Sequence, residues 1–469
     1  MAYTIEQKPN QLAGANSPMV FVLKEDSSAI FNADKFRYIA QVYISTTDEL
    51  TWVQRAKIKI HKNRANVGIV DVHKIVRSYL ETQEKNVGNQ EAIAGSIHSI
   101  GISDTSNSYS QNTSQVVGVK LVGGYEKASS ATAAPTETLN QANTIIYSIP
   151  ASTPYTDTGT NVGGLDIDGT NNPLTNYIPS GATKKFLTNA PRVQFVRGSS
   201  TAADNVDELT IAFINDGLIT DGDVLVKMAI EYYNSAGVQI GSTKYFTNDT
   251  GSGGKATADD VKNSLLYFGC GTSNLQNQVD VNDAQPSDFA DWAYYVIYGA
   301  DGSGNQETDK YYFYRYGSGA KVDDRHQSCT RYDNVRLAWR NRLGAWDYMN
   351  FRGKSTESVD ITRSDAGSVP GTWDSATFTY NNWDRGKKTL HTEATRKLTI
   401  NSDWLNPDEG IWLEELFTST NVQILADDNV VYPVVITDKK YTKKTSVNNK
   451  IKIQYTVNLE YANKVRTNS

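Results

Sequence analysis

Apolar and polar residues alternate with a period of two along much of this chain, and that alternation predicts strands. Near the start, Phe36, Tyr38, Ala40, Val42 and Ile44 share one face of a strand, and Ala56, Ile58 and Ile60 share a face of the next. Val224, Val226, Met228, Ile230 and Tyr232 repeat the pattern farther on. Close to the end, Ile451, Ile453, Tyr455, Val457, Leu459 and Tyr461 run out of phase with Lys452, Gln454, Thr456, Asn458 and Glu460, so one face meets a core and the other water. A long strand there pairs across a subunit boundary if its edge is open.

Between the strands lie turn signals. Asn234 to Gly237 is one turn, and Asp301 to Gly304 closes a hairpin running from Asp291 to Tyr316. A helical period appears in only a few places. Val72, Ile75, Val76, Tyr79 and Leu80 form one stripe that Asp71 can cap, and Thr257 with Asp260 opens a short helix ending near Gly269 or Gly271. Asn406, Pro407 and Glu409 occupy N-cap, N1 and N3 of a helix whose stripe is Trp412, Leu413, Leu416 and Phe417. The fold class is therefore mainly β, with several antiparallel β-sandwich-like modules and a few short covering helices.

The texture of the chain divides it into five stretches. Residues 1–125 form a β module with one helix, and 126–206, rich in Ser, Thr, Ala, Asn and Gly, form a polar loop-rich insertion or arm. Residues 207–352 form a β-meander that takes in an aromatic hairpin, 353–386 a linker, and 387–469 a C-terminal α+β module.

That hairpin is the densest signal in the chain. In Tyr332 to Phe351, YDNVRLAWRNRLGAWDYMNF, Val335, Leu337 and Trp339 share a face, and Trp346 and Tyr348 alternate with Asp347 and Met349. Asn341 to Gly344 supply the loop. It carries rigid rings of the kind enriched at interfaces and no reactive pair. Trp339, Trp346, Asp347, Tyr348 and Phe351 are the candidate structural or subunit-interface residues. Asp347 between two rings also has the makings of a sugar contact, against a packed turn in which the carboxylate bonds its own hairpin.

The run LAWRNRLGAWDYMNF, preceded by Cys329-Thr-Arg-Tyr332, resembles virion tail or ring proteins of crAss-like and marine tailed phages, in which a strand, a Trp-x-Asn-Arg-x-Gly-x-Trp-Asp-Tyr turn and another strand follow each other. QLAGANSPMVFVLK, VGIVDVHKIVRSYL and PVVITDKKYTKKTSVNNKIKIQYTVNLEYAN are similar to the same proteins; roughly Glu126 to Gly254 is similar to nothing specific. The resemblance implies a non-enzymatic virion protein in an oligomeric ring of the tail or neck, assembled in the host cytoplasm. Its partners would be copies of itself, adjacent tail, hub or portal-side proteins, and DNA in passive contact. The alternative is a receptor- or carbohydrate-binding tail module, and more distantly a wall-degrading enzyme.

Composition agrees with a β-rich chain of several modules: 469 residues, 39% apolar, 27 tyrosines and only five histidines. A net charge of -6 argues against a general nucleic-acid coat. Residues 126–310 concentrate the acidity, with 22 Asp and Glu against 10 Lys and Arg, which suits either a solvated surface or a channel wall past which DNA slides. Two basic clusters stand apart: Arg55, Lys57, Lys59 and His61 on one strand, and Lys439, Lys440, Lys443 and Lys444 near the end. Each either guards a strand edge or meets an acidic neighbour or phosphates.

Chemistry is otherwise sparse. His391 has no second histidine at zinc spacing, and no histidine is spaced with a cysteine as a ligand pair. The acidic loops at Leu165 to Asn172 and Asp301 to Glu307 lack the glycine and glutamate of an EF-hand and read as ordinary turns. There is no nucleophile elbow, phosphate loop or dinucleotide fingerprint, so no cofactor is expected. Cys270 and Cys329 pair only if the fold brings them together, and reduced thiols are the simpler expectation. The amino-terminal run has no export signal, and no segment is long and apolar enough for membrane insertion.

Overall fold

The computed structural model describes residues 3–9, 12–45, 52–80, 96–101, 117–152, 164–165, 186–215, 227–247, 264–277, 284–318, 331–384, 386–444, 453–463 and 465–466. The chain forms two compact units, Met1–His326 with Arg340–Asp347, and Gln327–Trp339 with Tyr348–Ser469. Both are mainly antiparallel sheet with short helices, as the alternation predicts.

In the first unit, Val53–Ile60, Asp34–Ser45, Val117–Ala128, Thr136–Ile149, Leu12–Gly14 and Gly164–Leu165 pair in that order. Thr4–Gln7, Val20–Lys24 and Val67–Asp71 form a smaller antiparallel sheet. Phe21 and Leu23 of the small sheet share one core with Tyr38, Val42, Val119 and Leu121 of the large one. Each such fully buried side chain contributes about 1.5–3 kcal/mol. The Tyr38 hydroxyl is satisfied inside it, donating to the Asn66 carbonyl at 2.5 Å and accepting from the Glu25 N–H at 3.1 Å.

The helix expected through Leu80 is a single turn, His73–Arg77. Val72 and Val76 are buried, and Ile75, Tyr79 and Leu80 pack against the same core, so the stripe holds although the helix is short. So short a helix is maintained by packing and by Asp71, whose Oδ1 accepts from the N–H groups of Met19 at 2.9 Å and His73 at 3.1 Å.

The polar arm expected over 126–206 is corrected where the residues are described. Thr136–Ile149 is a strand antiparallel to Val117–Ala128, and Val193–Val196 runs parallel to Tyr311–Arg315. A strand with few apolar residues needs only one covered face, and its partner is the neighbouring strand in the first case and one distant in sequence in the second.

Five strands make the unit's second large sheet, in the order Val193–Val196, Tyr311–Arg315, Trp292–Ala300, Lys227–Asn234, Gln239–Thr247. Aromatics line both faces. Tyr232, Trp292, Tyr295 and Phe313 are buried on one, while Tyr294 stacks between Tyr233 at 4.9 Å and Tyr314 at 4.6 Å on the other. The expected turns close it: Gly237 (φ 77°) donates to the Asn234 carbonyl, and Gly304 (φ 91°) to that of Asp301. The Asp301 carboxylate is occupied by its own loop, accepting from the N–H groups of Ser303 and Asn305.

Ser264–Gly269 is a strand paired with Thr210–Asn215, which overturns the helix expected to end at Gly269 or Gly271; a short helix, Thr272–Asn277, comes after it. The run Leu265-Leu-Tyr-Phe268 is continuously apolar and aromatic, a strand signal that outweighs a local cap. Cys270 is a buried free thiol whose pKa burial raises. Val224, Val226, Thr257, Asp260, His326, Cys329, Ile451 and the loop after Leu165 lie outside the described residues.

Another sheet, all but Arg340, Trp346 and Asp347 of it in the second unit, runs Trp346–Phe351, Val335–Arg340, Val422–Leu425, Val431–Ile436, Thr456–Tyr461, Lys387–Asn401, Thr356–Gly367, with Val465–Arg466 also on Lys387–Asn401. Three expectations are corrected here. The aromatic hairpin does not continue the tyrosine-rich meander, because Val335–Arg340 pairs with Val422–Leu425, far along the chain. Thr456–Tyr461 is no open edge; it lies between Val431–Ile436 and Lys387–Asn401. Within the 353–386 stretch read as a linker, Thr356–Gly367 is a twelve-residue strand. The helix Pro407–Thr418 is as expected, with Asn406 Oδ1 accepting from the Glu409 N–H at 2.8 Å and Glu409 Oε2 from the Asn406 N–H at 2.6 Å.

Candidate interaction surface

The aromatic hairpin is built around its turn. Gly344 sits at φ 86°, where a β-carbon would meet the Pro150 carbonyl oxygen at 2.8 Å, and its N–H donates to the Asn341 carbonyl. Asn341 Oδ1 accepts from the N–H groups of Leu343 and Ala345, and its Nδ2 donates to the Leu187 carbonyl and to Asp347 Oδ1. Asp347, 3% exposed, also accepts from Thr188 Oγ1 at 2.6 Å. Its carboxylate is committed to the fold, so the sugar-contact reading of Asp347 is corrected to the packed turn.

The four rings are equally buried. Trp339 is fully covered, its ring 4.9 Å from Trp412. Trp346 stands edge-on to His98 at 4.8 Å, and Tyr348 lies under the Arg336 guanidinium. Phe351 is 1% exposed. Trp339, Trp346, Tyr348 and Phe351 therefore hold the protein together from inside, and the neighbour-contact half of the expectation is corrected for them. Large side chains alternating on strands are enriched in cores and interfaces alike, so type and spacing could not separate the two.

Five of the eight residues of the basic clusters meet partners within the chain. Lys57 pairs with Glu137 at 2.5 Å, and Lys59 with Glu126 at 2.5 Å and Glu137 at 3.2 Å. Arg55 lies over the Tyr79 ring. Lys443 pairs with Glu414 at 2.7 Å, and Lys444 covers the Tyr455 ring. Among the described residues no group of three or more His, Cys, Asp or Glu could hold a metal ion, and no helix is long and apolar enough to cross a membrane.

The surface that stands out is one sequence reasoning missed. Thr356–Gly367 pairs residue by residue with Lys387–Asn401, and this long hairpin is exposed over nearly all of its outer strand and the first five residues of its return strand. Val359 and Ile361 point to one side, opposite Arg396 and Ala394; Ser358, Asp360 and Thr362 take the other. Leu390 is the extra residue of a bulge where the register steps from Ser364–His391 to Asp365–Thr389, and it is exposed too.

Beyond the ladder, Thr372–Trp373 and Phe378–Thr379 form a miniature hairpin over a turn in which Asp374 Oδ1 accepts from the N–H groups of Ala376 and Thr377. Trp373 is 63% exposed and Trp383 77%, with Phe378 and Tyr380 also open to solvent. Ion pairs brace the arm: Asp365 with Lys387 at 2.8 Å and Asp360 with Lys397 at 2.5 Å. Lys387 beside Asp365 holds that carboxyl below its ordinary range. The available signal was the alternation Val359-Asp-Ile-Thr-Arg363, hidden by the polar, glycine-bearing tip that follows.

No protein-family model matches this chain, and no curated protein does. Among solved structures it is similar to the crystal structure of Salmonella alpha-2-macroglobulin reacted with methylamine, at 9% identity and a TM-score of 0.19. That alignment covers 97% of this chain and 23% of the other, so the chain spans about a quarter of that protein's length, and a likeness of this size carries no argument.

Proposed function

We propose that this chain is a non-enzymatic structural subunit of a tailed-phage virion, forming part of an oligomeric ring of the tail or neck. The observation that carries the reading is the exposed arm. A two-stranded hairpin is marginal alone in water, and one tipped by Trp373, Phe378, Tyr380 and Trp383 leaves apolar surface that a partner gains by covering. An arm laid on a different surface of the next copy is a heterologous contact, and such contacts close into a ring when the rotation divides a full turn. The resemblance of LAWRNRLGAWDYMNF to phage tail and ring proteins supports the same reading. Further partners are adjacent tail, hub or portal-side proteins, and the acidity of 126–310 suits DNA passing without adhering.

The test is sedimentation velocity on the full chain across a wide concentration range, beside a Trp373→Ser/Trp383→Ser variant, with mass spectrometry of purified particles. A ring subunit sediments as a closed oligomer, loses that order in the variant at unchanged Tm, and occurs in particles at a count matching tail symmetry. A chain that stays monomeric and is missing from particles overturns the reading.

The exposed indoles also favour a second reading, a receptor- or carbohydrate-binding tail module, because aromatic rings stack on the apolar faces of sugars. Retention on immobilised host glycan, lost in the same variant while the oligomeric state holds, selects it.

A further inference from the structure

An open pocket of about 530 Å³ in the first unit gathers Lys35, Arg37, Lys59 and Lys62 around a single carboxylate, Glu126, with Phe31 and Phe36 in its lining. The backbone is bent to make it. Lys35 sits at φ 54°, a left-handed conformation rare for a residue with a side chain. It lies in an irregularity where the ladder between Asp34–Ser45 and Val117–Ala128 steps from the pair Asp34–Ala128 to Arg37–Glu126. In consequence Lys35, Phe36 and Arg37, three successive residues, all line one pocket, which the alternating faces of a regular strand forbid. Strain held at a bulge that re-aims side chains is typical of ligand sites.

The charges do not cancel. Glu126 is buried and taken by Lys59 at 2.5 Å, and Lys59 is shared with Glu137 at 3.2 Å, whereas Arg37, about half exposed, is 4.0 Å from Glu126 and has no closer carboxylate among the described residues. Lys35 Nζ donates to the Ala133 carbonyl at 2.7 Å and Lys62 Nζ to Asn32 Oδ1 at 2.8 Å, neutral acceptors that position the ammonium groups without discharging them. The Lys62 ammonium also lies 5.0 Å from the centre of the Phe31 ring, so cation and apolar wall adjoin.

We propose that this pocket binds a small ligand made of an oxyanion on a flat or apolar body, with the phosphate or carboxylate held by Lys35, Arg37 and Lys62 and the body against Phe31 and Phe36. Two sources share that chemistry, a nucleoside phosphate and a uronic-acid oligosaccharide. The pocket belongs to the first unit and the exposed arm to the second, and the proposal does not depend on the ring reading.

The experiment is isothermal titration of the full chain with adenosine monophosphate in one arm and a uronic-acid disaccharide in the other, repeated with Lys35→Gly and Arg37→Gln. Lys35→Gly removes the ammonium and relieves the left-handed strain, so its Tm holds or rises; Arg37→Gln changes an exposed side chain and carries the test by itself if the glycine variant fails to fold. Saturable binding of at least one probe, weakened about tenfold or more by either substitution and by added salt, is the expected result. The probe that saturates identifies the source. Absence of saturation with both at millimolar concentration, or undiminished binding in the variants, overturns the proposal.

Discussion

Asn341 and Asp347 clasp the aromatic hairpin across its turn: Asn341 Nδ2 donates to Asp347 Oδ1 at 3.0 Å, while Asn341 Oδ1 accepts two N–H groups of the intervening loop. Asp347 is buried with Thr188 as a second donor, so Asp347→Ala leaves polar groups of both neighbours facing a void. The expected cost is about 2–3 kcal/mol in urea unfolding. Asp347→Asn should cost less, since its amide oxygen still accepts one bond. A loss below about 0.5 kcal/mol for the alanine variant, the range of an ordinary surface change, would contradict the clasp.

Glu231 should give the first unit an acid-sensitive element. Burial works against its charge, but hydrogen bonds from Tyr233 at 2.8 Å, Tyr298 at 3.2 Å and Lys310 at 3.1 Å outweigh that and hold the carboxyl below its ordinary range. A folded pKa below the unfolded value means stability that is complete above about pH 4.3 and drains away as pH falls through the folded value. Urea midpoints measured from pH 6 downward should therefore decline less steeply in Glu231→Gln than in the parent chain. Identical slopes in the two proteins would remove Glu231 from the acid response.

The arm makes a prediction in hydrogen exchange. In the isolated protomer, amides of Thr356–Gly367 should exchange much faster than those of Val422–Leu425, because the arm is solvated on both faces and Val422–Leu425 is buried throughout. In assembled particles the arm should become protected. Equal exchange in the free and assembled states would show that another surface makes the contact.

Signals confined to a few neighbouring residues are legible in the sequence alone. The capping box of Asn406 and Glu409 and the turns at Asn234 to Gly237 and Asp301 to Gly304 stand where their local chemistry puts them. So do the buried face of Asp34–Ser45, with Tyr38 and Val42 inside, and that of the closing segment, where Tyr455, Val457 and Leu459 are buried although the strand itself is only Thr456–Tyr461. A cap or a turn is decided by bonds within four residues, and a strand face by a period of two.

What covers each face was not legible. Val335–Arg340 finds its partner in Val422–Leu425, and Leu12–Gly14 lies parallel to Thr136–Ile149. Alternation states that a side must be covered; it carries no address for the strand that covers it. The same limit separates Trp339 from Trp373. Both are tryptophans on short strands beside a tight turn, yet the first is fully enclosed and the second open to water. The order of residues determined which segments would be strands and which side of each would be apolar. Only the packing of distant segments decided which rings became core and which were left for a partner, because burial depends on contacts that no local pattern encodes.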